Sequence, residues 1–156
     1  MLYPLLLLHV FLSMGALYGG VLLLLNPDGS SLGMDPEWLS QLPFKSFLIP
    51  GLILFILFGI GSLFTTVGLI LKPMWRRANC LNIYPKMHWA WTYSLFTGII
   101  LIIWIVVQQF VIQFFWLQPI MILTGLSIMV IILIPAVIKY FEITDCRNSP
   151  TIKLRE

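Results

Sequence analysis

The sequence predicts an all-α integral membrane protein, a four-helix transmembrane bundle with a short interfacial helix in its first outer loop. Three observations carry that prediction. Hydrophobic residues make up 60% of the chain and charged ones only 10%, with a mean hydropathy of +0.99; an ordinary soluble domain holds roughly 25% charged residues. The charges are gathered in polar segments between apolar runs, and each run is long enough to cross about 30 Å of hydrocarbon. The 156 residues leave room for four spans and no sizeable soluble part, so residues 1–156 read as a single membrane domain.

The first span covers about residues 3–25. Pro4 stands in the first turn, where a helix tolerates proline. The run lacks a basic leading region and exceeds the roughly 7–15 apolar residues of a signal peptide, so it is expected to be retained. Gly15 and Gly19 form a GxxxG pair and Gly20 follows, small residues that let a neighbouring helix approach closely. His9, Ser13, Ala16 and Gly20 share one face at 100° per residue. An ionisable residue inside a span is a functional candidate, while a neutral imidazole bonding to hydroxyls on the next helix is the structural alternative.

The segment from Asn26 to Pro50 is the chain's acidic break. Asn26-Pro27-Asp28-Gly29 is a turn signal that stops the first helix. Asp35-Pro36-Glu37 then starts a short helix, with an Asp cap, proline at the first position and a second acid near the positive end. Trp38, Leu39 and Leu42 fall on one side before Pro43, as in an amphipathic turn at headgroup level. Asp28, Asp35, Glu37 and Trp38 are therefore candidates for an outer lid or partner surface. The spacing of the acids matches no Ca²⁺ loop.

The second span, about 47–71, lies in a run of 26 uncharged residues from Ser46 to Leu71, with Pro50 expected to bend its start. Gly51, Phe58, Ser62 and Thr65 share its packing face. Lys72, Arg76, Arg77 and Lys86 then make a basic loop without an acid, flanked by Trp75 and Tyr84. The bias of Lys and Arg places this loop and both termini in the cytoplasm and residues 26–46 outside. From Trp89 to Ile138 there are 50 residues without a charge, about 75 Å as one helix, so the run must fold back. Gln108, Gln109, Gln113 and Gln118 mark the turn between spans at about 89–109 and 119–140. Tyr93, Thr97, Trp104 and Gln108 share a face of the third span. Pro135 is expected to bend the fourth, freeing a carbonyl near Val130 or Ile131. The tail 141–156 mixes acids and bases and is expected to fray.

Counted from the cytoplasmic ends, His9, Ser13, Thr65, Thr66, Tyr93 and Thr97 fall in the inner half of the bilayer. One imidazole among hydroxyls is the nearest approach to a site, either the lining of a cavity for a lipid, quinone or other apolar ligand or ordinary interhelical bonding. Gly15, Gly19, Gly20 and Gly51 are assigned to helix packing. Other chemistries fail on inventory. His9 and His88 lie at different depths, unsuited to a shared haem, and no Asp, Glu, Lys or Arg sits within a span to couple ion movement. Cys80 and Cys146 are not paired near the outer face, and with His88 and Asp145 they lack the CxxC spacing of a zinc site. No catalytic residue, metal or cofactor is assigned, and nucleic acid is not a partner; lipids, another membrane protein or a second copy of the chain are.

PDGSSLGM at 27–34, PFKSFLIPGLILF at 43–55 and WIVVQ at 104–108 resemble a small family of four-helix bacterial inner-membrane proteins. The resemblance implies a fold and a location, and brings no activity or site residues. Three functions are then open: a non-enzymatic accessory subunit or binder of an apolar ligand, a small transporter or channel formed by oligomerisation, and a lipid- or quinone-modifying enzyme centred on His9.

Overall fold

Backbone polar groups that leave water for hydrocarbon need partners within the chain, and a helix supplies them segment by segment. The computed structural model describes residues 2–34, 37–38, 46–73, 75, 78–111 and 116–143. Its regular structure among the described residues is all helical. We label the main helices α1 (Leu2–Leu25), α2 (Leu48–Leu71), α3 (Trp89–Val111), α4 (Leu117–Ile132) and α5 (Pro135–Phe141). Among the described residues, α1, α2 and α3 are each long and apolar enough to cross a membrane, and α4 with α5 makes a fourth candidate if the bent pair is one span.

α1 packs along α2 and also against α4, while α3 packs on α2 and, most extensively, on α4. Leu5, Leu12, Phe58, Leu101, Ile128 and Ile132 fill the space between them and are essentially inaccessible. The outward positions of α1, among them Leu7, Met14 and Tyr18, remain exposed, as they do when lipid rather than protein is to cover them.

α2 is irregular. It is α-helical over Leu48–Ile53, π-helical over Leu54–Ile60 and α-helical again over Gly61–Leu71. The expected bend at Pro50 is not the source, since Pro50 lies in the first turn, where its missing N–H breaks no bond. The widened turn faces α1 at very short range. A Cβ on Gly20 would stand 2.8 Å from Phe55 Cβ and 2.9 Å from Phe55 Cα, and one on Gly59 would stand 2.7 Å from Leu17 Cδ2.

The expected fourth span over 119–140 is not one unbroken helix. α4 stops at Ile132 and α5 leaves at 69°. Pro135 can neither donate to the previous turn nor fit beneath it, and it holds Ile134 extended (φ −61°, ψ 131°). The break exposes the carbonyl of Ile132, next to the expected region of Val130 and Ile131. Ile131 accepts from Ile134 N–H at 3.2 Å, whereas Ile132 accepts the indole N–H of Trp91 at 3.0 Å. The end of α5 is then tied to the loop before α3. His88 N–H donates to Phe141 O at 2.9 Å and Ile143 N–H to Lys86 O at 2.8 Å. Lys72, which ends α2 with φ 47°, donates its ammonium to Tyr140 O at 3.0 Å and covers the Tyr140 ring.

The acidic segment is folded at its two ends. Gly29 takes φ 77°, and a Cβ there would stand 2.9 Å from Met34 Cβ. Phe47, 1% exposed, donates its N–H to Pro27 O at 2.8 Å and joins Leu23, Leu32, Met34 and Trp38 in a small satellite core. Glu37 and Trp38 are helical. Asp35, Pro36, Leu39, Leu42 and Pro43 of the expected interfacial helix lie outside the described residues, as do Gln113, Arg76, Arg77 and the tail beyond 143.

The packing yields a graded prediction. A Cβ at Gly68 would collide with the Trp89 ring, whereas one at Gly15 would meet only Met121 Cε at 4.0 Å. Gly68→Ala is expected to destabilise the purified protein by about 1–3 kcal/mol, as overpacking does. Gly15→Ala is expected to be neutral or to stabilise by up to about 1 kcal/mol through helix propensity. Thermal unfolding in one detergent compares the two.

Candidate functional site

The six inner-leaflet candidates divide between two places. The first is an interior node around His9. α1 presents the imidazole to both α2 and α3, with Nδ1 2.8 Å from Ser62 Oγ and Nε2 2.8 Å from Ser94 Oγ. Ser62 Oγ–H also points to His9 O at 3.1 Å. A serine has one hydrogen to give. If it goes to the carbonyl, Nδ1 carries the ring proton and donates to Ser62, while Ser94 donates to Nε2. The network then closes with every member satisfied, and His9, Ser62 and Ser94 are all fully buried.

Ser13 and Thr66 extend this node. Ser13 Oγ donates to Gly59 O at 2.9 Å, a carbonyl of the π-helical stretch, and Thr66 Oγ1 donates to Ser62 O at 2.9 Å. Ser13 and Thr66 are buried. The chemistry of the node is that of interhelical hydrogen bonding, which replaces the missing hydrophobic drive between helices in lipid.

The second place is a cavity of about 830 Å³ between the π-helical half of α2 and the first half of α3. Ile56, Leu57, Ile60 and Phe64 form one wall, Phe96 and Ile100 the other, and Cys80, Asn82 and Ile83 of the α2–α3 loop close one end. Thr65, Tyr93 and Thr97 line it; His9, Ser13 and Thr66 are not among its lining residues. Thr65 Oγ1 donates to Gly61 O at 2.9 Å and Thr97 Oγ1 to Tyr93 O at 2.8 Å, so neither hydroxyl hydrogen is left for a ligand. The size falls within the roughly 300–1,000 Å³ of small-molecule pockets.

The contribution of Cys80, Asn82 and Ile83 escapes a reading by spans, because a loop residue declares no depth. A partial signal exists in α3, where Tyr93, Phe96, Thr97 and Ile100 follow the i, i+3, i+4, i+7 stripe of one helix face. Of the packing glycines, Gly20 and Gly51 make the close approaches, a Cβ on Gly51 standing 2.6 Å from Leu23 Cβ, while Gly19 is looser, 3.4 Å from Leu54 Cδ2. Gly59, Gly68, Gly98 and Gly125 serve the same purpose. On the acidic segment, Asp28 Oδ1 accepts from Ser30 Oγ at 2.8 Å and Ser30 N at 3.2 Å. These bonds hold the carboxyl below its ordinary range. They close a local turn and leave Asp28 exposed.

His88 stands beside the looped end of the fold and is the side-chain cap of α3, its Nδ1 accepting Ala90 N–H at 3.3 Å. Its Nε2 is buried and makes no hydrogen bond of good geometry. Burial pushes the imidazole below its usual value; the carbonyls of Pro73 and Lys72 pull the other way, and the Lys72 charge adds a smaller downward push.

Comparison with protein-family models, with curated proteins and with solved structures found no match to this chain.

A pH dependence follows from His88. Its pKa is lower folded than unfolded, so the unfolded chain takes up the proton first on acidification. The stability it contributes is complete above the unfolded value of 6.5 and is lost progressively as pH falls below it. His88→Asn keeps a capping acceptor and removes the titration. Wild type should lose more thermal stability than His88→Asn between pH 7.5 and 5, both values spanning the ordinary imidazole range. Parallel losses in the two proteins would refute this assignment.

Proposed function

We propose that the chain is a four-span bundle of a cell membrane, with its termini and basic loop cytoplasmic and residues 26–46 outside. We further propose that it acts without enzymatic chemistry, as a binder of an apolar membrane molecule or as an accessory subunit that carries one. The observation that carries this reading is the cavity between α2 and α3. It is walled mostly by carbon and lies against the π-helical stretch of α2, and π-helical turns of this kind recur at functional sites.

The alternatives receive less support. A path through a single copy is filled by Leu5, Leu12, Phe58, Leu101 and Ile128, so a channel formed by oligomerisation would have to run between copies. An enzyme centred on His9 needs a reactive imidazole, and both ring nitrogens of this one are hydrogen-bonded between helices.

Occupancy is tested by filling the cavity. Thr97→Trp and, separately, Ile100→Trp put an indole into it from α3. Native mass spectrometry of protein taken through detergent exchange is expected to show a retained apolar molecule on the wild type. Each variant should reduce it about tenfold, the effect of 1.4 kcal/mol of lost affinity. Equal retention in all three proteins would remove the reading.

Topology is tested through Cys80, an exposed free thiol of the basic loop. In a Cys146→Ser background, a membrane-impermeant maleimide should label Cys80 only after the cells are opened. Labelling in intact cells would invert the orientation.

A further inference from the structure

Resting on the ligand-binding reading above, we infer that the cavity is a slot for the hydrocarbon tail of a lipid and does not receive a quinone ring. The inference comes from how the donors on its walls are spent. Thr65 and Thr97 give their hydroxyl hydrogens to carbonyls of their own helices. Tyr93 Oη donates to Ala78 O at 3.2 Å. Asn82 Nδ2 donates to Asn79 Oδ1 at 2.9 Å and to Met87 O at 2.7 Å, and Asn82 Oδ1 accepts from Thr92 Oγ1 and Tyr84 N–H. Among the described lining side chains only the thiol of Cys80, a weak donor, has no such commitment.

A quinone ring carries two carbonyl oxygens that are acceptors only. Burying them without donors costs about 1–3 kcal/mol for each group left unsatisfied. A hydrocarbon chain asks for no donor, and coming from lipid that is as apolar as the walls it leaves no polar group unsatisfied when it enters. The lining polar groups have acceptor lone pairs but almost no hydrogens to offer, so the cavity discriminates by hydrogen bonding as well as by shape. Trp104 Nε1 is buried and without a partner, but it is not on the lining. It lies one turn beyond Ile100, and its ring sits against Phe58 with centroids 6.4 Å apart.

The dimensions agree. From Thr65 to Ile56 on α2 and from Tyr93 to Ile100 on α3, the walls run for about 10–14 Å at the helical rise of 1.5 Å per residue. The cavity is therefore elongated along the helices. Its polar end is at the loop, with Cys80 and Asn82, and the end away from the loop, at Ile56, Leu57 and Ile100, is apolar and open to the outer surface of the helices. A lipid entering with its tail along the walls leaves its headgroup at the loop, where polar atoms and solvent meet it.

The experiment uses the full chain in phosphatidylethanolamine/phosphatidylglycerol vesicles and two photoreactive probes. One is a phosphatidylcholine with a diazirine in its acyl chain; the other is a short-tailed benzoquinone with an azide on the ring. Peptide mapping is expected to place acyl labels on the cavity walls, at Ile56, Leu57, Phe96 or Ile100. These labels should fall about tenfold in Thr97→Trp and under excess unlabelled lipid, while labels on the outward residues Leu7 and Met14 of α1 stay constant. The ring probe should give no saturable wall labelling. Saturable ring labelling that Thr97→Trp removes would overturn the inference and leave the ligand-binding reading standing. Acyl labelling of the walls no greater than that of Leu7 and Met14, and indifferent to Thr97→Trp, would overturn both.

Discussion

One histidine inside a span ties three helices together, and most of the remaining structure can be traced to it. Between helices in lipid there is no hydrophobic drive, because the lipid tails are as apolar as leucine. Close packing and interhelical hydrogen bonds must do the work. His9 is placed to bond Ser62 of α2 and Ser94 of α3 at the same distance, 2.8 Å, from its two ring nitrogens. An imidazole that must meet both can accept only one arrangement of the three helices about it. The glycine contacts of α1 with α2, at Gly20, Gly51 and Gly59, occur in the same register in which the node joins the two helices.

The same economy explains why the cavity is apolar in character although hydroxyls line it. Thr65 and Thr97 on its walls direct their hydrogens to backbone carbonyls, as Ser13 and Thr66 do in the interior node. Ser13 uses one that lies in the π-helical stretch of α2. That stretch serves two faces of the helix at once. Toward α1 its glycine and widened turn permit contact at short range, and toward α3 it carries Ile56, Leu57 and Ile60 along the cavity. The loop before α3 adds a different kind of constraint. Lys72, Met87 and His88 hold the end of α5 through main-chain and cation–π contacts, so the break at Pro135 ends in a tied segment rather than a loose one.

Much of this was legible in the residues. Charge confinement and the length of the apolar runs gave the helical, membrane-length character of α1, α2 and α3, and the 100° spacing placed His9, Ser13, Ala16 and Gly20 on a buried face. Proline chemistry located the break in the fourth run. What periodicity does not contain is the partner of a carbonyl, and so Trp91, forty-one positions from Ile132 in sequence, could not be matched to it. A π-helical turn leaves no residue signature either; here it lies where Phe55 meets Gly20 and Leu17 meets Gly59, contacts between residues far apart in sequence. The grouping of His9 with Tyr93 and Thr97 followed from equal depth alone. Depth fixes position along the bilayer normal but not direction around a helix, which is why the structure sends these residues to two different places.

The central claim is that His9 and Ser94 are energetically coupled as a join between α1 and α3. A double-mutant cycle measures this most directly, with His9→Ala, Ser94→Ala and the double variant unfolded reversibly in one mixed-micelle system. The account predicts a coupling of about 0.5–1.5 kcal/mol, in the range found for interhelical hydrogen bonds in membranes. Additivity within about 0.3 kcal/mol, as expected of independent sites, would contradict it.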